Sequence, residues 1–345
     1  MHRYLSLILV FLYFASCKRE DNIEPLLPDN PEIPLHIPAG FPPLNAAVKE
    51  NKPTQYGVKL GRKLFHEKRF SGNNTISCAS CHQQDRAFAD NNVQAIGIED
   101  RVGLRNTPPI QNLAFLKYYN WDGNIRNLEK QVLVPIITPE EMNSSIVQVI
   151  NKLKDDPLYR ELFKKAFGDE DITPERIYKS IVQYEYSLIS ANSKYDKVKR
   201  NEGAQFTESE KRGYHLFQSK CEGCHSTELF TDQTFRNIGF PLNPSMEEAG
   251  RGRVTGIPSD YMKFRVPSLR NVEFTAPYGS FGQFATLKTV LDYLDAGVLY
   301  AENLDPILKE NGNRIPMAEE EKEDIISFLK TLSDPEFVGK TPGSS

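Results

Sequence analysis

The chain is short of basic excess, of cysteine and of long apolar runs. Among its 345 residues, 42 are basic and 46 acidic, giving a formal net charge of -4. That balance carries no basic footprint for nucleic acid. Beyond the first 17 residues no segment is long and apolar enough to span a bilayer. No clear run of period-two alternation stands out, so the chain reads as mostly helical with long functional loops. Histidine is absent between His82 and His215, and Trp121 is the only tryptophan. What is present fits a soluble globular protein: 39% hydrophobic and 26% charged residues, on a chain long enough for two domains.

The N-terminus is the exception to the missing apolar run. In "MHRYLSLILVFLYFASCKRE", His2 and Arg3 precede an apolar stretch from Leu5 to Phe14, then Ala15, Ser16 and Cys17. A positive start, a short apolar core and small residues before a cut describe an export signal. A cysteine at the cut is similar to a bacterial lipobox, with Phe14 where Leu is usual. Residues 1–17 are therefore expected to be a lipoprotein signal, with Cys17 lipidated as a membrane tether. A plain signal or uncleaved anchor is the alternative. Residues 18–45 hold Pro25, Pro28, Pro31, Pro34, Pro38, Pro42 and Pro43, and are expected to form a stiff linker.

Helices are expected over 56–65, 173–190, 207–217 and 318–332. Thr173 with Pro174 and the Thr207-x-x-Glu210 capping box mark two of the starts. The sequence also repeats itself. Gly61-x-x-Leu64-Phe65 returns as Gly213-x-x-Leu216-Phe217. "PPIQNLAFLKYYNWDG" (108–123) aligns without a gap on "PSLRNVEFTAPYGSFG" (267–282), sharing Asn112/Asn271, Tyr119/Tyr278 and Gly123/Gly282. Two halves built alike are expected, 46–200 and 201–340, with the boundary near 195–206.

Each half carries one "CxxCH": Cys78, Cys81 and His82, then Cys221, Cys224 and His225. Three chemistries use such cysteine pairs: two covalent haems, one zinc held by four thiolates, or two redox dithiols. Haem alone gives the histidine a task. The thiols meet the porphyrin vinyls and the imidazole takes the iron. Zinc needs only the thiolates, and a dithiol leaves both histidines idle.

Two such motifs, an export signal and the segments "LGRKLFHEKRFSGNNTISCASCH", "RNTPPIQN", "WDG", "EEMNSS", "VPSLRNVEFTAPY" and "FATLKTVLDYL" resemble the bacterial dihaem cytochrome c peroxidases and their methylamine dehydrogenase-maturing relatives. The resemblance covers about residues 50–335. It implies an all-α fold of two cytochrome c-like domains, each with one covalent haem. It implies a peroxidatic first haem on His82 and an electron-accepting second haem on His225. Electrons would come from a small periplasmic cytochrome or copper protein, and hydrogen peroxide would be reduced to water. Glu141 matches the family's distal carboxylate, which moves a proton during O–O cleavage. By itself it reads better as a solvated acid near a helix start. Gln131 and Pro135 match other distal residues, and Trp121 a residue between the haems. Asn106, Thr275 and Pro277 match the positions that hold a calcium ion, a hard cation suited to oxygen ligands.

Three departures from the family pattern accompany this. Ile98 stands where many members carry a blocking histidine, so the first iron is expected to keep an open face. Leu294 stands at the second iron's sixth-ligand position, leaving Tyr293, Met262, Met317 or no residue. Ser280 replaces the histidine of the family's "PY-x-His". A methylamine-type oxidase acting on a partner protein and a non-enzymatic electron carrier are the alternatives. The expected location is the periplasmic side of a bacterial cell envelope. The oligomeric state, including a homodimer, is left open.

Overall fold

A computed structural model describes residues 29–242 and 247–339. The signal segment, Cys17 and the first part of the Pro-rich stretch lie outside the described residues. The four expected helices form at Gln55–Phe65, Pro174–Ser187, Glu208–Lys220 and Glu319–Lys330. Thr173 caps its helix by accepting from the Arg176 amide, and the Thr207–Glu210 capping box closes on both sides. Long loops and short helices fill the rest. The all-α expectation is corrected in one detail: Phe235–Arg236 and Phe264–Arg265 pair as a two-stranded antiparallel ribbon. Two-residue strands give no readable alternation, which is why the sequence did not show them.

The internal repeat is structural. In the first half the Gln55–Phe65 and Pro174–Ser187 helices pack together; in the second, Glu208–Lys220 packs on Glu319–Lys330. Both pairs close on glycine. A Cβ on Gly61 would sit 1.8 Å from the Ser180 carbonyl oxygen, and one on Gly213 would sit 1.9 Å from that of Asp324. Asn112 and Asn271 each take a left-handed backbone (φ 57°) that turns into one short 3-10 helix. Their amides donate to Leu188 and Leu332 respectively, and the bridges Tyr119–Ile125 and Tyr278–Phe284 follow at matching places. Replacing Gly61 with Ala forces backbone against backbone. We expect a loss of about 1–3 kcal/mol, seen as a thermal midpoint lower by several degrees. An unchanged or raised midpoint would contradict this close approach.

Two main apolar cores result, one in each half, beside two smaller clusters among the described residues. The first gathers Leu60, Leu64, Phe65, Phe88, Phe115, Ile136, Tyr159, Phe163 and Ile181. The second gathers Tyr195, Phe217, Phe230, Val272, Ile325 and Phe328. Tyr195 lies in the short Lys194–Lys199 helix, so packing hands that helix to the second core. The Pro-rich stretch has no helix from 29 to 45, as its prolines require. It is not a free spacer there. Asn30 donates to Ala166 O, Glu32 bridges Thr54, and Phe41 is buried against Phe115 and under the Arg270 guanidinium.

Candidate active site

In the first half, one turn of helix, Cys78–Cys81, is capped by Ser77, and the chain leaves it at His82. His82 Nδ1 donates to Phe88 O at 2.7 Å. This fixes the ring and leaves Nε2 with its lone pair. The second half repeats the device: His225 Nδ1 donates to Phe230 O at 3.1 Å. Burial lowers the pKa of both imidazoles, keeping them neutral. Burial raises the pKa of all four motif thiols. A redox dithiol needs the opposite shift. Among the described residues no three or more His, Cys, Asp or Glu side chains form a metal-holding group, so the four thiols do not meet on one zinc.

A cavity of about 390 Å³ opens beside the first motif. Its wall includes Cys78, Cys81 and His82 together with Trp121, Gln131, Pro135, Glu141 and Met142. Residues separated by some sixty positions in sequence thus share one space with the first cysteine pair. Gln131 and Pro135 come from the Leu128–Ile137 helix. Glu141 follows in a turn after that helix and caps no helix start. Its carbonyl accepts from the Ile98 amide at 2.9 Å, and Met142 N donates to Pro135 O. Burial, with Glu140 adding to it, raises the Glu141 carboxyl above its ordinary value. Gln131 Oε1 accepts from Asn120 Nδ2 at 3.0 Å.

Trp121 stands in the same wall. Its indole N–H donates to Asn106 O at 2.9 Å, and its ring packs with Met262, Phe264 and Phe281 of the second half. Ile98 is buried, and His82 is the one histidine on the described lining. Asn106 donates through its amide N to Ser280 O and through its side chain to Asn92 O. Thr275 Oγ1 donates to Val272 O. The two residues lie on neighbouring loops and exchange no hydrogen bond with each other.

The candidates for the second site separate. Met317 and Leu294 pack in the second core, against which Cys221 lies. Met262 packs with Trp121 instead. The Tyr293 hydroxyl donates to Gly239 O and accepts from the Leu299 amide, so backbone already occupies it.

Sequence reasoning passed over several wall residues. Glu185 is buried; burial pushes its carboxyl up to about 8, and its Oε2 has no hydrogen-bond partner among the described residues. Arg265 is also buried and, among the described residues, has no carboxylate partner. Arg105 is held at once by Asp122 and Glu248. Glu185 and Arg265 lie outside the quoted segments, while Arg105 opens "RNTPPIQN"; folding brings the three to one wall. A large cavity carrying paired thiols, an oriented imidazole and an unpaired buried carboxyl fits a covalently attached, partly polar macrocycle.

Comparison with known proteins agrees with this reading of the chemistry. The family model for di-haem cytochrome c peroxidase matches residues 55–204. A methylamine utilization protein MauG from Methylophilus methylotrophus is 30% identical over 96% of both chains. A cytochrome c551 peroxidase from Nitrosomonas europaea is 33% identical, over 86% of this chain and 85% of that one. A crystal structure of a MauG-like protein associated with microbial copper homeostasis is 31% identical with a TM-score of 0.77, covering 89% of this chain and 96% of its own. The chain belongs to the di-haem cytochrome c peroxidase family, whose members are oxidoreductases with two c-type haems. Peroxidases and MauG proteins stand at similar identity to it.

Proposed function

We propose that this protein reduces hydrogen peroxide to water with electrons from a small donor protein. The observation that carries the reading is the shared cavity. Glu141, Gln131 and Pro135 line the same space as Cys78, Cys81 and His82. A haem there would be attached by Cys78 and Cys81 and held at its iron by His82, supplying the redox chemistry on peroxide. A second would be attached by Cys221 and Cys224 and held by His225, as an electron store. Glu141 takes a proton from the near oxygen of peroxide and returns it to the leaving oxygen. Gln131 orients the substrate, fixed in turn by Asn120. Trp121 joins the cavity wall to the second half and serves as the electron conduit. Asn106, Thr275 and Pro277 would hold a calcium ion, a hard cation suited to their oxygen atoms. The test is consumption of peroxide by anaerobically reduced protein; a reduced protein inert to peroxide would overturn the reading.

The engaged Tyr293 hydroxyl supports peroxidase over a methylamine-type oxidase that ligates its second iron through tyrosine. The domains follow the two halves, with lipidated Cys17 tethering the protein on the periplasmic side of a bacterial envelope. No described helix is long and apolar enough to cross a membrane.

With isoleucine at position 98 and its amide tied to the Glu141 turn, the first iron needs no reductive unblocking. The fully oxidised protein is expected to show a high-spin component in its paramagnetic resonance spectrum, in material whose mass includes two haems. Two purely low-spin irons would contradict the open site.

A further inference from the structure

Two residues of the Pro174–Ser187 helix reach the first cavity. Ile181 and Glu185 stand four apart, on one helix face, and both line that space. Ile181 is what an apolar wall calls for. Glu185 is not. It is 7% exposed, and its Oε2 has no hydrogen-bond partner among the described residues. Burial alone sets its value of about 8, with no neighbouring cation to offset it. The Cys78 thiol and the phenols of Tyr119, Tyr184 and Tyr186 each feel its charge. Glu141 also acts on Cys78. Arg62, Arg265, Glu50 and Glu129 act on those phenols rather than on Glu185. An unpaired carboxyl in such a place costs stability that an apolar side chain would not. Glu185 therefore sits beside the thiol that anchors the ring, in a space where any change of charge is felt strongly.

We infer that Glu185 carries a redox-coupled proton: it takes one proton from solvent when an electron enters the first haem, and releases it when that electron leaves. This rests on the haem reading of the cavity. One electron and one proton enter together, so the net charge of the buried space stays constant. Reducing peroxide to two waters consumes two electrons and two protons. Glu141 moves a proton from one peroxide oxygen to the other and adds none to that sum. Glu185 holds one of the two beside the stored electron. The sign follows from electrostatics: an added electron disfavours the carboxylate, so the carboxyl titrates at higher pH in the reduced protein than in the oxidised one. Between those two values the midpoint potential of the first haem falls as pH rises. Below the lower and above the higher it is level.

The test is a spectroscopic redox titration at a series of pH values on both sides of Glu185's own, using wild type, Glu185→Gln and Glu141→Gln, each with two haems by mass. In wild type the first midpoint should fall by up to about 59 mV for each tenfold drop in proton concentration, the limit for one proton per electron. Glu185→Gln should lose that slope, with the pH response of the second haem unmoved, and Glu141→Gln should keep it. A level wild-type midpoint, a slope that survives in Glu185→Gln, or a slope lost equally from both haems would overturn the inference. If Glu185→Gln yields no holoprotein, the infrared difference between oxidised and reduced Glu141→Gln decides, with isotope-labelled glutamate carboxyls. A glutamate carboxylate band lost and a carboxyl band gained on reduction supports the coupling; no glutamate change refutes it. Potentials need no turnover, so a protein that binds two haems yet ignores peroxide leaves this result readable.

Discussion

Glu141→Gln is expected to lower peroxide turnover by about 10²- to 10⁴-fold, the range of a lost general acid–base group, with both haems still attached. The amide matches the carboxyl in size and keeps the turn, because that turn is held by backbone: Ile98 N on Glu141 O, and Glu141 N on Thr138 O. What it cannot do is accept a proton from one peroxide oxygen and deliver it to the other. Burial, then Glu140, holds the Glu141 carboxyl above the ordinary value of 4.5. The wild-type pH profile should therefore carry a limb above that value, and the variant should lack it. Near-normal turnover, or a limb that survives, would remove Glu141 from the mechanism.

Arg270→Met should cost about 3–5 kcal/mol at neutral pH, the usual consequence of orphaning one member of a buried ion pair. Arg270 has no exposed side-chain surface. It donates to both Asp196 oxygens at 2.9 Å and to Glu228 O, and its guanidinium lies over Phe41 and Phe230. One side chain therefore ties the N-terminal strap and the second core together. Burial alone would raise the Asp196 pKa. Hydrogen bonds from Arg270 and Ser193 overcome it and hold the carboxyl below its ordinary value. A folded-state pKa depressed in this way adds stability above the unfolded value, and that stability is lost as pH falls through the folded one. In the variant the stranded carboxyl protonates more readily. The deficit in denaturant midpoint should be large at pH 7 and shrink on acidification. A variant as stable as wild type at pH 7 would show the pair to be dispensable.

The sequence alone determined the chemistry and the twofold plan. Two "CxxCH" motifs, repeated Gly-x-x-Leu-Phe segments and matching Asn and Tyr positions are local signals, because thiol spacing and left-handed turns are set within a few residues. Helix starts were legible for the same reason: Thr173 and Thr207 satisfy amides of their own first turn. Family resemblance pointed to Glu141, Gln131 and Trp121, which taken singly read as ordinary surface or core residues. Only the tertiary structure put them on one wall with His82. It also assigned the Lys194–Lys199 helix to the second core, laid the Pro-rich strap against the body, and engaged the Tyr293 hydroxyl with backbone. Arg265 and Glu185 were invisible for a stated reason. An isolated charge has no period and no motif, and whether it is paired depends on side chains far away in sequence. Burial and pairing are properties of the packed chain, so folding decided them.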